Sequence, residues 1–291
     1  MGAPAGTAAV SMPFVPAGTP ATDEPEVEPM TRYLPRTTED GAARDAVRLL
    51  CFPYAGGGAS AYGRWQRGLD AHGAGVHVLP VQLPGREGRV NEERFTALKA
   101  LVDDLDEQLD DVLSRPHVFY GHSMGALIAC TLTLRRQQRG APLPLALVLG
   151  AYRAPHLPAP TVIEPEADDE QLARRLIELG GIPEALTKYP DFLRALLPVA
   201  RDDLLMCRDS EASTYDQLLQ VPLHLFAGHR DRLVSVPEVA AWRLHAGRGS
   251  ELRTMPGGHF FLRDDEPLFL GELSAVLRRY AQSVACAGVP V

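Results

Sequence analysis

From residue 47 onward, short apolar runs alternate with longer stretches whose apolar positions recur every three or four residues. The runs VRLLCF (47–52), VHVLPVQL (76–83), HVFYG (117–121), LALVLGA (145–151), LHLFAG (223–228) and ELRTM (251–255) have strand length. Most lack a polar face, as expected of strands covered on both sides. Between them, FTALKALVDDLDEQLDDVL (95–113) places Leu98, Leu101, Leu105 and Leu109 on one helical face and its carboxylates on the other. Strands alternating with amphipathic helices predict an α/β fold with a mostly parallel central sheet.

Residues 152 to about 220 break the alternation. They hold no convincing strand but carry helical patterns such as EQLARRLIELGG and DFLRALLPVARDDLL. A helical lid, inserted between two strands over the active-site end of the sheet, is the expected arrangement; unusually long crossover helices are the alternative. Residues 1–45 are rich in Ala, Pro, Gly, Thr and Glu, with prolines too frequent for a helix and no apolar period. They predict a disordered N-terminal extension. The folded domain is then expected at 46–285, followed by a short tail at 286–291.

At 291 residues the chain accommodates one such domain with its insertion. A net charge of −8 argues against broad binding to nucleic acid. The N-terminus lacks the basic start and apolar stretch of a secretory signal, and no run is long enough to span a membrane. Cys51, Cys130, Cys207 and Cys286 are scattered without metal-ligand spacing. A cytoplasmic protein without cofactor or metal is expected.

The sharpest chemical signal is Gly121-His122-Ser123-Met124-Gly125, preceded by HVFY and followed by the helical run ALIACTLTLRR. G-x-S-x-G at a strand–turn–helix junction lifts the serine above the sheet in a strained turn that leaves room only for small neighbours. A serine hydroxyl needs a base, and the base an orienting acid. In the chain order serine, acid, histidine, the candidates are Asp231 in FAGHRDRLV and His259 in MPGGHFFL, each just beyond an expected strand. His122 sits in the elbow pointing away from the nucleophile, His224 lies within a strand, and His229 is a neighbour of Asp231. Asp264 and Asp265 follow the histidine, and Asp202, Asp203 and Asp209 belong to the insertion. Oxyanion donors are expected from the backbone N–H of Met124 and from the loop CFPYAGGGA, with Ala55 favoured over Tyr54 and Gly56.

Taken together, FPYAGGGA, LPGREGR (83–89), YGHSMGA, LGGIP (179–183), LLMCRDSEASTY (204–215), AGHRD with Trp242 downstream, and PGGHFFL resemble a type II thioesterase of the α/β-hydrolase superfamily. These are the stand-alone editing enzymes of polyketide and non-ribosomal peptide synthases, and the resemblance spans about residues 48 to 281. It implies hydrolysis of misprimed or stalled acyl groups from the phosphopantetheine arms of acyl or peptidyl carrier proteins, with a Ser123–His259–Asp231 triad and an acyl-enzyme. One departure is Arg232, where a proline or similar small residue usually follows the acid. Leu176, Leu179, Leu193, Leu196, Leu197 and Leu204 are candidates for lining an acyl chamber. Arg135, Arg136 and Arg139, or Arg174 with Arg175, could dock an acidic carrier. An oxygen-ester hydrolase or lipase, an acyltransferase, and a catalytically dead binding module on the same scaffold remain alternatives.

Overall fold

In the computed structural model, the described residues are Gly2, 31–34, 46–158, 162, 164, 167–209 and 217–287. Six parallel strands form one sheet: β1 (Val47–Phe52), β2 (Val76–Pro80), β3 (His117–His122), β4 (Leu147–Gly150), β5 (Leu223–Gly228) and β6 (Ser250–Met255), in the order β2-β1-β3-β4-β5-β6. Each expected strand is present, and the sheet is that of an α/β-hydrolase.

Alternation along each strand sends neighbouring residues to opposite faces. Leu50 and Phe52 join Phe119, Leu149 and Leu225 on one face, against α2 (Leu98–Gln108) and α4 (Met124–Gln138). Leu49 and Cys51 join Val118, Tyr120 and Phe226 on the other, against α1 (Trp65–Ala71) and the closing α9 (Glu266–Ala287). Arg136, fully buried within α4, is balanced by Asp106 of α2 at 2.8 Å. The helix expected over 95–113 is divided: α2 ends at Gln108, and a short α3 covers Asp110–Leu113.

Between β4 and β5 the chain forms α5 (Asp169–Glu178) and α6 (Pro190–Arg208), joined by a 3-10 turn at Glu184–Lys188. Asp168 and Gln171 form a reciprocal capping box that starts α5. The two helices share a small core of Leu172, Leu176, Ile182, Leu197 and Ala200, separate from the two cores of the sheet.

Two expected boundaries move. Most of the N-terminal extension lies outside the described residues, but its segment 31–34 packs on the body. Tyr33 is 0% exposed, its carbonyl accepts from the Gln82 N–H at 2.8 Å, and the Arg89 guanidinium lies 4.6 Å above its ring. That stretch is therefore part of the fold. At the other end α9 continues through Cys286 to Ala287, because its apolar face stays on the sheet for most of its length. All four cysteines carry free thiols, and no helix among the described residues is long and apolar enough to cross a membrane.

Candidate active site

Parallel strands leave all their carboxyl ends at one edge, and the loops leaving that edge converge. At the end of β3, Ser123 turns the chain directly into α4 with φ 53° and ψ −118°, a left-handed conformation that costs a side-chain-bearing residue about 1–3 kcal/mol. The turn is closed by contact. A Cβ on Gly121 would stand 2.1 Å from the Gly125 carbonyl oxygen, and one on Gly125 2.1 Å from the Phe52 carbonyl oxygen. Only hydrogen fits at either position, which accounts for both glycines of the motif. The N–H of Met124, first residue of α4, has no acceptor within its own helix and stands at the positive end of the helix dipole.

Asp231 follows β5. Its Oδ1 accepts the N–H groups of Leu233 at 2.8 Å and Val234 at 3.0 Å, and its Oδ2 lies 2.8 Å from Nδ1 of His259. The carboxylate only accepts, so Nδ1 carries the hydrogen and Nε2 keeps its lone pair. The asparagine-type turn forms despite Arg232, whose side chain is directed outward. Two backbone bonds, His229 N–H to the Met255 carbonyl and Arg230 N–H to the Gly257 carbonyl, each 2.8 Å, bind the acid loop to the histidine loop. Asp264, set aside as the acid, instead accepts the Gly258 N–H at 3.1 Å and holds the turn before His259.

Asp231 and His259 are thus brought together, with side chains 0% and 4% exposed. The histidine loop also touches the elbow: the His259 carbonyl lies 2.8 Å from Nε2 of His122, and the two rings meet edge to face at 5.4 Å between centroids. Reading His122 as merely turned away missed this contact. His224 is bonded instead to the Tyr280 hydroxyl of α9 at 2.7 Å.

Ser123 opens on a small cavity of about 50 Å³, whose lining includes Ala55, Met124, Tyr152, Arg153, Leu204 and Val234. A second, larger cavity of about 360 Å³ adjoins it at Ala55 and runs between the glycine loop and the inserted helices. Leu204 lines the first and Leu176 and Leu196 the second, whereas Leu197 is buried in the core of the insertion and Leu193 packs against it. Of the oxyanion rivals, Gly56 is removed: its N–H donates to Asp203 at 2.8 Å.

The basic clusters are neutralised. Arg135 lies 3.3 Å from Asp103, Arg139 3.1 Å from Asp106, Arg174 3.0 Å from Glu170 and Arg175 3.1 Å from Glu178. Neither cluster presents unopposed positive charge. Sequence reasoning also passed over Arg86 and Asp203, which form a buried pair beneath the glycine loop. The signal was present in LPGREGR, which marked the resemblance without giving its arginine a role.

Comparison with known proteins agrees with this geometry. The thioesterase-domain family model matches residues 47–280. The gramicidin S biosynthesis protein GrsT of Aneurinibacillus migulanus is 33% identical over 220 residues, covering 76% of this chain and 84% of that protein. RedJ, a thioesterase of the prodiginine pathway of Streptomyces coelicolor, is 35% identical, with a TM-score of 0.71 over 83% of this chain and 96% of RedJ. The type II thioesterase BorB of the borrelidin cluster is 31% identical, with a TM-score of 0.71 over 81% of this chain and 95% of its own. The family model spans most of the described chain, fold and sequence agree with these relatives, and the protein belongs to the thioesterase family, alongside the type II enzymes of polyketide and non-ribosomal peptide pathways.

Proposed function

We propose that this protein hydrolyses acyl thioesters carried on the phosphopantetheine arms of acyl or peptidyl carrier proteins, clearing misprimed or stalled groups from a modular synthase. The observation that carries the reading is the 2.8 Å contact between Asp231 and His259, whose main chain is bonded to His122, the neighbour of a serine at a strained elbow. The 33% identity to a gramicidin S biosynthesis protein supports the carrier-bound substrate.

In this reading the His259 imidazole accepts the Ser123 proton as Oγ attacks the thioester carbonyl, and Asp231 stabilises the imidazolium that forms. Negative charge collects on the former carbonyl oxygen, facing the N–H groups of Met124 and Ala55; each donor lowers the barrier by about 3 kcal/mol. The C–S bond then breaks, the pantetheine sulfur leaves with the proton from His259, and Ser123 holds the acyl group as an ester. His259 next takes a proton from water, whose oxygen attacks the ester carbonyl. Return of that proton to Ser123 frees the acid.

The inserted helices act as a lid in this scheme, with the acyl chain running from Ser123 past Ala55 into the larger cavity beneath them. Reduced thiols and the absence of a membrane-crossing helix among the described residues fit a cytoplasmic enzyme.

The test offers the purified protein a panel of acyl-S-carrier proteins, the matching coenzyme A thioesters and a matched oxygen ester. Free acid should be released fastest from the carrier, and Ser123→Ala should abolish release. Equal or faster cleavage of the oxygen ester would replace the reading with that of a general esterase.

A further inference from the structure

The loop after β1 must hold a backbone N–H in place at the rim of the sheet, yet it belongs to no helix or strand. Its own turn supplies one bond, from the Gly57 N–H to the Tyr54 carbonyl at 2.8 Å. A second local bond runs from the Ala61 N–H to the Gly58 carbonyl at 3.2 Å, and the remaining bonds come from residues distant in sequence. Asp203 Oδ2, on α6, accepts the Gly56 N–H at 2.8 Å. Arg86 donates to the Gly57 carbonyl at 3.0 Å and grips Asp203 with both arms of its fork, at 2.7 and 2.9 Å. Gln82 extends the strap, accepting the Ala59 N–H at 3.1 Å and donating to the Arg86 carbonyl at 3.0 Å.

Arg86 and Asp203 are 8% and 2% exposed. A buried ion pair adds little net stability, since apolar residues of the same volume commonly do as well. Apolar residues would supply no acceptor for the Gly56 N–H and no donor for the Gly57 carbonyl. The pair's distinctive contribution is therefore directional: it fixes the peptide groups immediately after Ala55.

Packing adds to this. Gly56 has φ +74°, and a Cβ there would stand 3.1 Å from the Ala200 Cβ and 3.2 Å from a Leu196 methyl. Residues 196, 200 and 203 recur on one face of α6, so the helix rests on the loop through all three. Next to Asp203, Asp202 is paired with Arg94 at 2.7 Å, tying the same turn of α6 to the segment between β2 and α2 that carries Arg86.

We propose that Arg86 and Asp203 are positioning residues that orient the Ala55 N–H toward the oxyanion formed at Ser123 and lock the base of α6 to that loop. The proposal rests on the thioesterase reading and on Ala55 as the second oxyanion donor. Arg86 has a further part: it cancels a carboxylate charge that would otherwise face the developing oxyanion. Loss of Arg86 alone should accordingly slow turnover more than loss of both charges.

The experiment compares wild type, Ser123→Ala, Arg86→Lys, Arg86→Met and the double variant Arg86→Met/Asp203→Leu. Each is assayed for kcat and KM on one acyl thioester, for affinity toward a trifluoromethyl ketone analogue, and for urea unfolding. The double variant should unfold near the wild-type midpoint, lose about 10²-fold in kcat with KM within about twofold, and bind the ketone correspondingly more weakly. Arg86→Met should be slower still and be partly rescued by adding Asp203→Leu. Arg86→Lys, which keeps the charge without the fork, should lose about tenfold in kcat and serves as the readout if the double variant does not fold. A folded double variant or Arg86→Lys with wild-type kcat and ketone affinity overturns the proposal, as does an effect confined to KM. Absence of hydrolysis by wild type, or its persistence in Ser123→Ala, would instead overturn the thioesterase reading beneath it.

Discussion

Nε2 of His122 lies 2.8 Å from the carbonyl oxygen of His259, so the residue beside the elbow serine holds the main chain of the proposed base. A carbonyl only accepts, and Nε2 must carry the hydrogen. Burial holds the His122 pKa well below the ordinary histidine range, with the His259 imidazole and the Arg263 guanidinium acting in the same direction, so the ring stays neutral. Nδ1 is buried, with no hydrogen-bond partner among the described residues. His122→Phe fills the space without the donor. Its kcat should fall about five- to tenfold, the worth of one neutral hydrogen bond, with KM nearly unchanged. Recovery in His122→Gln, measured by steady-state kinetics, would tie the loss to the hydrogen bond.

Asp231→Asn tests the orientation of the imidazole. The asparagine carbonyl can still accept from Leu233 and Val234, so the loop should keep its shape. Its NH2 group then faces Nδ1 of His259 and donates to it, which moves the ring hydrogen to Nε2 and removes the base. A fall of about 10³–10⁴ in kcat with an unchanged unfolding midpoint is expected.

Tyr33 makes the N-terminal segment part of the fold. Its side chain is fully buried in the core on the α2 side of the sheet, with its hydroxyl bonded to Asp104 of α2. Tyr33→Ala should cost about 3–4 kcal/mol in urea unfolding, as for other large buried side chains. A chain starting at residue 46, which lacks Tyr33, should show the same deficit.

Stability should fall in mild acid. Burial pushes His117 down to about 4 and His224 likewise to about 4. Their unfolded values lie near 6.5, so between pH 6.5 and 4 the unfolded chain binds protons that the folded chain refuses. Stability is therefore complete above pH 6.5 and declines below it, by up to about 1.4 kcal/mol per pH unit for each imidazole. Glu92, Asp110 and Glu251, held low by arginine partners, add to the decline only in more acidic solution. Urea midpoints measured from pH 7 to 4.5 should show this slope, reduced in His117→Gln.

Whatever depended on local period and local sterics was legible in the sequence alone. Six strands, the amphipathic pattern over 95–113 and the helical insertion follow from apolar spacing, because strands covered on both faces are unbroken apolar runs whereas burial on a helix face recurs every three to four residues. The elbow was legible because a strand-to-helix turn admits only glycine at 121 and 125, a constraint written into five consecutive residues. Asp231 and His259 could be chosen because each directly follows a strand whose end the parallel sheet must place at the same edge. Tertiary structure alone decided which charges meet. Arg86 and Asp203 stand 117 residues apart and no periodicity links them, so neither their pairing nor their grip on Gly56 could be read from spacing. The same holds for Asp106 and Asp110, which cancel an arginine cluster that looked basic in one dimension, and for Tyr33, whose short segment carries no repeat yet fills a pocket shaped by other elements. Periodic burial is a property of the chain; charge pairing and the filling of a single gap are properties of the packed surface, which exists only once the sheet and its helices have assembled.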